Sequence, residues 1–159
     1  MTTTETKRTI TLKAEPLTPE AYAPFGGIVD AGKLQLHCSE GQYTARLMTL
    51  EPAPKRISRV NRHFDHSQLF VPLTNDPMLL VVAPGHVSGE RFDPSTIRVF
   101  QTDGTQAFTF NVGVWHIAPR ALDGKTGAQV INVQGSRYQQ NTELIDFEAS
   151  TGVGVEWES

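Results

Sequence analysis

An all-β sandwich or barrel is the fold this sequence predicts, on three observations. Short Val-, Ile- and Phe-rich runs recur through the chain. Clusters of Gly, Pro, Asn and Asp punctuate them, and no sustained helical period appears. At 159 residues the chain is long enough for one domain with a substantial core. The polar, Thr-rich start reads as a flexible leader over residues 1–8, with a single barrel domain over 9–159.

Thr9 to Ala14 alternates and opens the strands. Thr18-Pro19-Glu20 is a helix start, with a Thr cap, Pro in the first turn and an acidic residue beside the helix N-terminus. Pro24 and Gly26-Gly27 stop it after one or two turns, so one or two short helices are expected near the N-terminus. Tyr43 to Leu50 reads as a strand closed by Pro52 and Pro54, and Arg56 to His63 alternates weakly. Leu69 to Leu73 ends at the Asn75-Asp76-Pro77 turn. Met78 to Ala83 is unbroken apolar sequence, the mark of a strand buried on both faces. Gly85 to Ser95 turns polar and reads as a long loop of the kind that lies over a site, with Asp93 capping one helical turn. Ile97 to Phe100 is short, and Asp103-Gly104 signals a hairpin into Ala107 to His116. Ala128 to Gln134 follows, and Leu144 to Glu148 is expected to be the last strand.

Two of these segments carry more polar groups than a strand needs. Asn61 to Pro72 and Ala107 to Pro119 bring His63, His66, Gln68, Asn111 and His116 onto aromatic-rich strands, which suggests a polar pocket inside the barrel. If the second strand is regular, Phe108, Phe110, Val112, Val114 and His116 share one face and His116 points inward. A bulge at Gly113 would reverse that parity.

Composition excludes several classes. One cysteine, Cys38, allows no internal disulfide and no cysteine-based metal knuckle, and with no N-x-Ser/Thr acceptor it points to a reducing, cytoplasmic setting. A net charge of −3 argues against nucleic acid or an anionic membrane as partner. No apolar run approaches the length of a membrane span, and the start lacks a secretory signal's apolar region.

At these residues the chain resembles the ureidoglycolate lyase family, small proteins with a cupin-type jelly-roll barrel. The resemblance runs from Pro16-Leu17-Thr18-Pro19-Glu20-Ala21-Tyr22 and Phe25-Gly26 through Arg62-His63 and Ser67-Gln68-Leu69-Phe70-Val71-Pro72-Leu73. It continues over Leu80-Val81-Val82-Ala83-Pro84, Ser95-Thr96-Ile97-Arg98-Val99-Phe100, and Val114-Trp115-His116 with Pro119. Four places depart from the family pattern. Asn61 stands where a Glu is usual, and Phe110-Asn111 where bacterial members carry Tyr-His. His116-Ile117-Ala118-Pro119 replaces His-His-Pro, and no Cys segment lies around Gln139 to Glu143.

The resemblance implies cleavage of ureidoglycolate to glyoxylate and urea, and a homodimer. In that reaction a base takes the hydroxyl proton and an acid protonates the leaving nitrogen, work suited to His63 and His116. Gln68 would hydrogen-bond the ureido group or the hydroxyl, and Asn61 and Asn111 are further amides of that kind. The substrate carboxylate calls for an arginine, with Arg59, Arg62 and Arg98 available. No cofactor is expected. The alternative is a metal-dependent cupin oxygenase or isomerase, a divalent ion being held by His63, His66, Gln68 and His116. Two amides make that a poor donor set, and the three-residue step from His63 to His66 needs a bend to bring both inward. A third reading is a barrel that binds a small hydroxy- or oxo-acid without turning it over.

Overall fold

The computed structural model describes residues 7–29, 32–122 and 125–158. Among the described residues there are fifteen strands and two short α-helices. The first half comprises β1 (Arg8–Lys13), β2 (Glu15–Pro16), α1 (Pro19–Tyr22), β3 (Ile28–Val29), β4 (Tyr43–Thr49), β5 (Arg56–Ile57), β6 (Arg59–His63) and β7 (Gln68–Pro72). The second comprises β8 (Met78–Ala83), β9 (Arg98–Gln101), β10 (Ala107–Phe110), β11 (Trp115–His116), β12 (Arg120–Ala121), β13 (Gln129–Gly135), β14 (Thr142–Asp146), α2 (Phe147–Thr151) and β15 (Val153–Glu158). The strands form a five-stranded sheet ordered β3-β10-β7-β13-β4 and a seven-stranded sheet ordered β14-β6-β11-β8-β9-β2. A three-stranded sheet, β1-β15-β5, completes an all-β, jelly-roll-like architecture. No helix among the described residues is long and apolar enough to cross a membrane.

Strand β8 explains the layering. Met78, Leu80 and Val82 point into one core with Phe70, Phe100, Phe108, Phe110 and Val130, between the two larger sheets. Leu79, Val81 and Ala83 point the other way, into a second core with Val60, Trp115, Phe147 and Val155. All six are buried, which is why the run has no polar alternation. Helix α1 starts as its sequence requires: Thr18 Oγ1 accepts from the Ala21 N–H at 3.2 Å, with Pro19 in the first turn. Its Tyr22 is fully buried, edge-on to Phe100, and donates its hydroxyl to the Thr109 carbonyl at 2.7 Å. Asp93 caps a 3₁₀ turn at Pro94–Thr96.

The structure departs from the sequence expectations at several points. The run from Ala107 to His116 is two strands in two sheets. The chain turns at Asn111, whose carbonyl accepts from the Val114 N–H at 3.1 Å, and Gly113 takes φ +80. Asp103-Gly104 is not a hairpin: it carries the chain from β9 in one sheet to β10 in the other, with Thr105 folded back on the Asp103 carboxylate. The second helix, α2, lies near the C-terminus, and β15 rather than the Leu144 segment is the last strand. The Gly85 to Ser95 loop packs on the second core through Phe92 rather than over a pocket. Of the leader expected over residues 1–8, residues 1–6 lie outside the described residues, and Arg8 is the first residue of β1.

Candidate active site

The polar cavity lies between the two larger sheets, beyond the phenylalanines of the first core. Its volume is about 160 Å³, room for roughly five waters at ~30 Å³ each. It is bounded by Asn61 and His63 of β6, His116 of β11, Gln68 and Phe70 of β7, Asn132 and Gln134 of β13, and Arg46 and Met48 of β4, with Ala118 and Tyr138.

Strand parity puts the histidines there. Along β6, Val60 faces the second core, so Asn61 and His63 face the opposite side, where the cavity lies. His116 pairs with Asn61 across the β11–β6 ladder, so both project to the same side. The ring of His116 stacks on Phe110 at 4.4 Å and lies 5.1 Å from that of His63. His116 does face inward as the parity argument expects, but it does so on a strand of the other sheet, after a turn that leaves Val112 exposed.

Hydrogen bonding settles both tautomers. Thr142, the cross-strand partner of His63, gives its hydroxyl proton to the Tyr138 carbonyl. Its oxygen is left to accept from His63 Nδ1, 2.8 Å away. His116 Nδ1 donates to the Val114 carbonyl at 2.9 Å. Each ring therefore keeps its lone pair on Nε2. Burial drives both rings neutral. The His63 pKa falls to about 4, first through desolvation and then through the neighbouring His66, while Asp65 and Gln68 pull the other way. The His116 pKa falls to about 3, again first through desolvation and next through His63.

Gln68 is fixed by two amides. Its Nε2 donates to Asn132 Oδ1 and to Gln134 Oε1, both at 3.0 Å. That leaves Gln68 Oε1 buried without a partner, and Asn61 Oδ1 is in the same condition. The cavity thus holds two imidazole lone pairs and two unused carbonyl oxygens, all acceptors. One cation stands at its wall: Arg46, exposed on β4, takes part in no ion pair among the described residues.

Several expected residues lie elsewhere. Arg59 pairs with Asp146 at 3.3 Å and lines an adjoining open groove that Asn61 and His116 also border, rather than the cavity itself. Arg98 is held by Glu15 at 2.9 and 2.6 Å and by the Ala21 carbonyl at 3.2 Å. Arg62 is wedged over Trp115 at 4.2 Å and bonded to Glu143 and to the Gly85 and Val87 carbonyls, so it clamps the loop. Asn111 is exposed in the turn and lines no part of the cavity. The sequence shows which residue types the strands carry, whereas the carboxylates that hold these three arginines come from distant strands, and Asn111 sits in the turn between two sheets. Arg46, Asn132, Gln134 and Thr142 escaped the sequence reading. The signal for two of them was present, since amides at alternate places of a Val/Ile strand mark a polar inner face.

The metal alternative does not fit this donor set. Among the described residues no group of three His, Cys, Asp or Glu side chains is placed to hold a metal ion.

Comparison with known proteins completes the site. The profile of the Ureidoglycolate lyase family matches residues 35–154, which takes in every cavity residue named above. The chain belongs to the ureidoglycolate lyase family. A ureidoglycolate lyase of Pseudomonas aeruginosa (strain LESB58) is 33% identical over 147 residues, covering 79% of this chain and 85% of its own. That of Burkholderia mallei (strain NCTC 10229) is 35% identical over 127 residues, covering 67% and 72%. That of Pseudomonas fluorescens (strain Pf0-1) is 31% identical over 146 residues, covering 79% and 86%.

Proposed function

We propose that this protein is a ureidoglycolate lyase that releases glyoxylate and urea by proton transfer through its buried imidazoles, without a cofactor. The observation that carries the reading is the match between cavity and substrate. Ureidoglycolate offers N–H donors along its ureido arm and one hydroxyl donor, against the acceptor cluster of His63, His116, Gln68 and Asn61. Its carboxylate needs a cation, and Arg46 is the one on the cavity lining, in no ion pair among the described residues.

His63 Nε2 takes the hydroxyl proton as the carbinol C–O becomes C=O. The C–N bond breaks, its electron pair passes to nitrogen, and the same imidazolium returns the proton there. Hydroxyl and nitrogen share one carbon, so one ring serves as base and then as acid, and protons balance. His63 is the less deeply buried of the two rings, and Gln68 favours its charged form. The bound carboxylate raises its basicity further. His116 Nε2 and the Asn61 and Gln68 oxygens hold the donors in line.

The test is glyoxylate release from ureidoglycolate by protein dialysed against a chelator, with Arg46→Leu alongside. Activity that survives dialysis, with KM raised about 10–100-fold in Arg46→Leu, supports the reading. Folded protein that releases no glyoxylate refutes it.

The same reading includes a homodimer built on the outer face of the five-stranded sheet. Ladder pairing aligns Leu47, Ile131 and Val71 in one row and Ala45, Val133 and Leu69 in the next, all on the side away from the cavity. Leu47 is 55% exposed, and Tyr43 and Leu73 extend the apolar area. A face with no charged side chain in these rows suits a second copy of itself. Leu47→Glu is expected to shift the mass in light scattering from dimer to monomer, and a monomeric parent protein would remove this part. We place the enzyme in the cytoplasm, with a small-molecule substrate and no nucleic-acid partner, on the lone Cys38 and the net charge of −3.

A further inference from the structure

Asp65 and His66 sit against His63 and take no part in the chemistry above. The His66 ring is fully buried and stacks on that of His63, with centroids 4.7 Å apart and planes 20° from parallel. Its seat depends on a glycine: a Cβ at Gly135 would lie 2.7 Å from His66 Nδ1 and 2.9 Å from its Cγ. His66 Nδ1 donates to Asp65 Oδ1 at 2.7 Å, and His66 Nε2 is buried with no partner. A second proton on that ring would be a buried N–H with nothing to accept it, so Nε2 carries a lone pair.

Asp65 is itself buried, at 4% exposure. Its other oxygen accepts from Asn141 Nδ2 at 3.2 Å, and among the described residues no Lys or Arg pairs with it. While the His66 ring is neutral, the Asp65–His66 unit therefore holds one negative charge inside the protein, with no lysine or arginine among the described residues paired to it. Such a charge is costly in a resting protein. It becomes favourable when positive charge appears nearby, and a charge compensated only then lowers the barrier rather than the ground state. The one group in ring contact with the unit that gains positive charge during turnover is His63. A single turn ties them together, because Asn141 holds Asp65 and Thr142 holds His63.

We infer that Asp65, acting across the stacked His66 ring, is the counter-charge for the imidazolium that forms on His63 during turnover. Asp65 and His66 are then a positioning pair, since neither touches substrate. The inference rests on the lyase reading, and the experiment separates the two. Wild type, Asp65→Asn and His66→Phe are compared for kcat and KM with ureidoglycolate, with rates normalised to folded protein. Asp65→Asn removes the charge and keeps the shape, and His66→Phe keeps the stack and cuts the link. Both are expected to lower kcat about 10–100-fold with KM within about twofold. If wild type releases no glyoxylate, the lyase reading fails. If wild type turns over and folded Asp65→Asn keeps its kcat, the counter-charge is refuted. A kcat loss matched by an equal rise in KM assigns the pair to packing and also overturns the inference.

Discussion

Acidification reads the burial of the two site histidines directly. An unfolded histidine binds a proton near pH 6.5, whereas His63 and His116 in the folded protein do so only at about 4 and about 3. The unfolded chain therefore binds more protons as pH falls, and folded stability drops. The contribution is fully present above 6.5 and is lost on the way down to the folded values. At about pH 5 both folded rings are still neutral, so their mutual repulsion does not enter. Each has then lost about 2 kcal/mol, from 1.5 pH units at about 1.4 kcal/mol per unit, or about 4 kcal/mol together. Carboxylates held low, such as Glu15 by its hydrogen bond to Arg98 and Asp103 by Thr105, release their contribution below this window. Urea unfolding of wild type and His116→Gln at about pH 8 and about pH 5 measures the effect. The variant is expected to lose about 2 kcal/mol less than wild type over that interval, whatever its starting stability. Equal losses in the two proteins would refute the burial argument for His116.

Three further outcomes follow from the same geometry. His116→Ala is expected to cut kcat by at least about 100-fold while the far-UV spectrum stays native, because it removes a cavity acceptor and not a sheet partner; wild-type turnover in the folded variant would remove His116 from the site. Asn61→Glu sets a carboxylate in the cavity that His63 also lines, two residues along β6, and is expected to raise glyoxylate release about tenfold by stabilising the imidazolium that forms on His63; an unchanged rate means that the added charge does not reach that ring. Gly26→Ala would push a Cβ to 1.8 Å from the Thr109 carbonyl oxygen, which also accepts from Tyr22. It is expected to destabilise by about 3 kcal/mol or more in denaturant unfolding; a neutral result would mean that the α1–β10 contact yields easily.

Local chemistry made much of this molecule legible. Thr18-Pro19 carries its own cap and turn, so α1 needed no tertiary information. Met78 to Ala83 announced a two-faced core strand because both sides must be apolar there. His63, Gln68 and His116 stood out because a polar group among buried aromatics is costly without a purpose. Other features depended on partners far along the chain. Nothing near Arg59, Arg62 or Arg98 says that Asp146, Glu143 and Glu15 neutralise them. Nothing near Arg46 says that no carboxylate among the described residues pairs with it. The break at Gly113 looked like a strand because its flanks are strand-like, yet they belong to different sheets.

The residues alone determined which side chains had to be inside: aromatic and aliphatic runs exclude water in any barrel, and the histidines and amides travel in with them. Folding decided the rest, because tautomer, basicity and free charge are properties of neighbours. Thr142, Val114 and Asp65 orient three imidazoles from three different segments, and only the closure of two sheets sets those donors and acceptors within hydrogen-bonding distance.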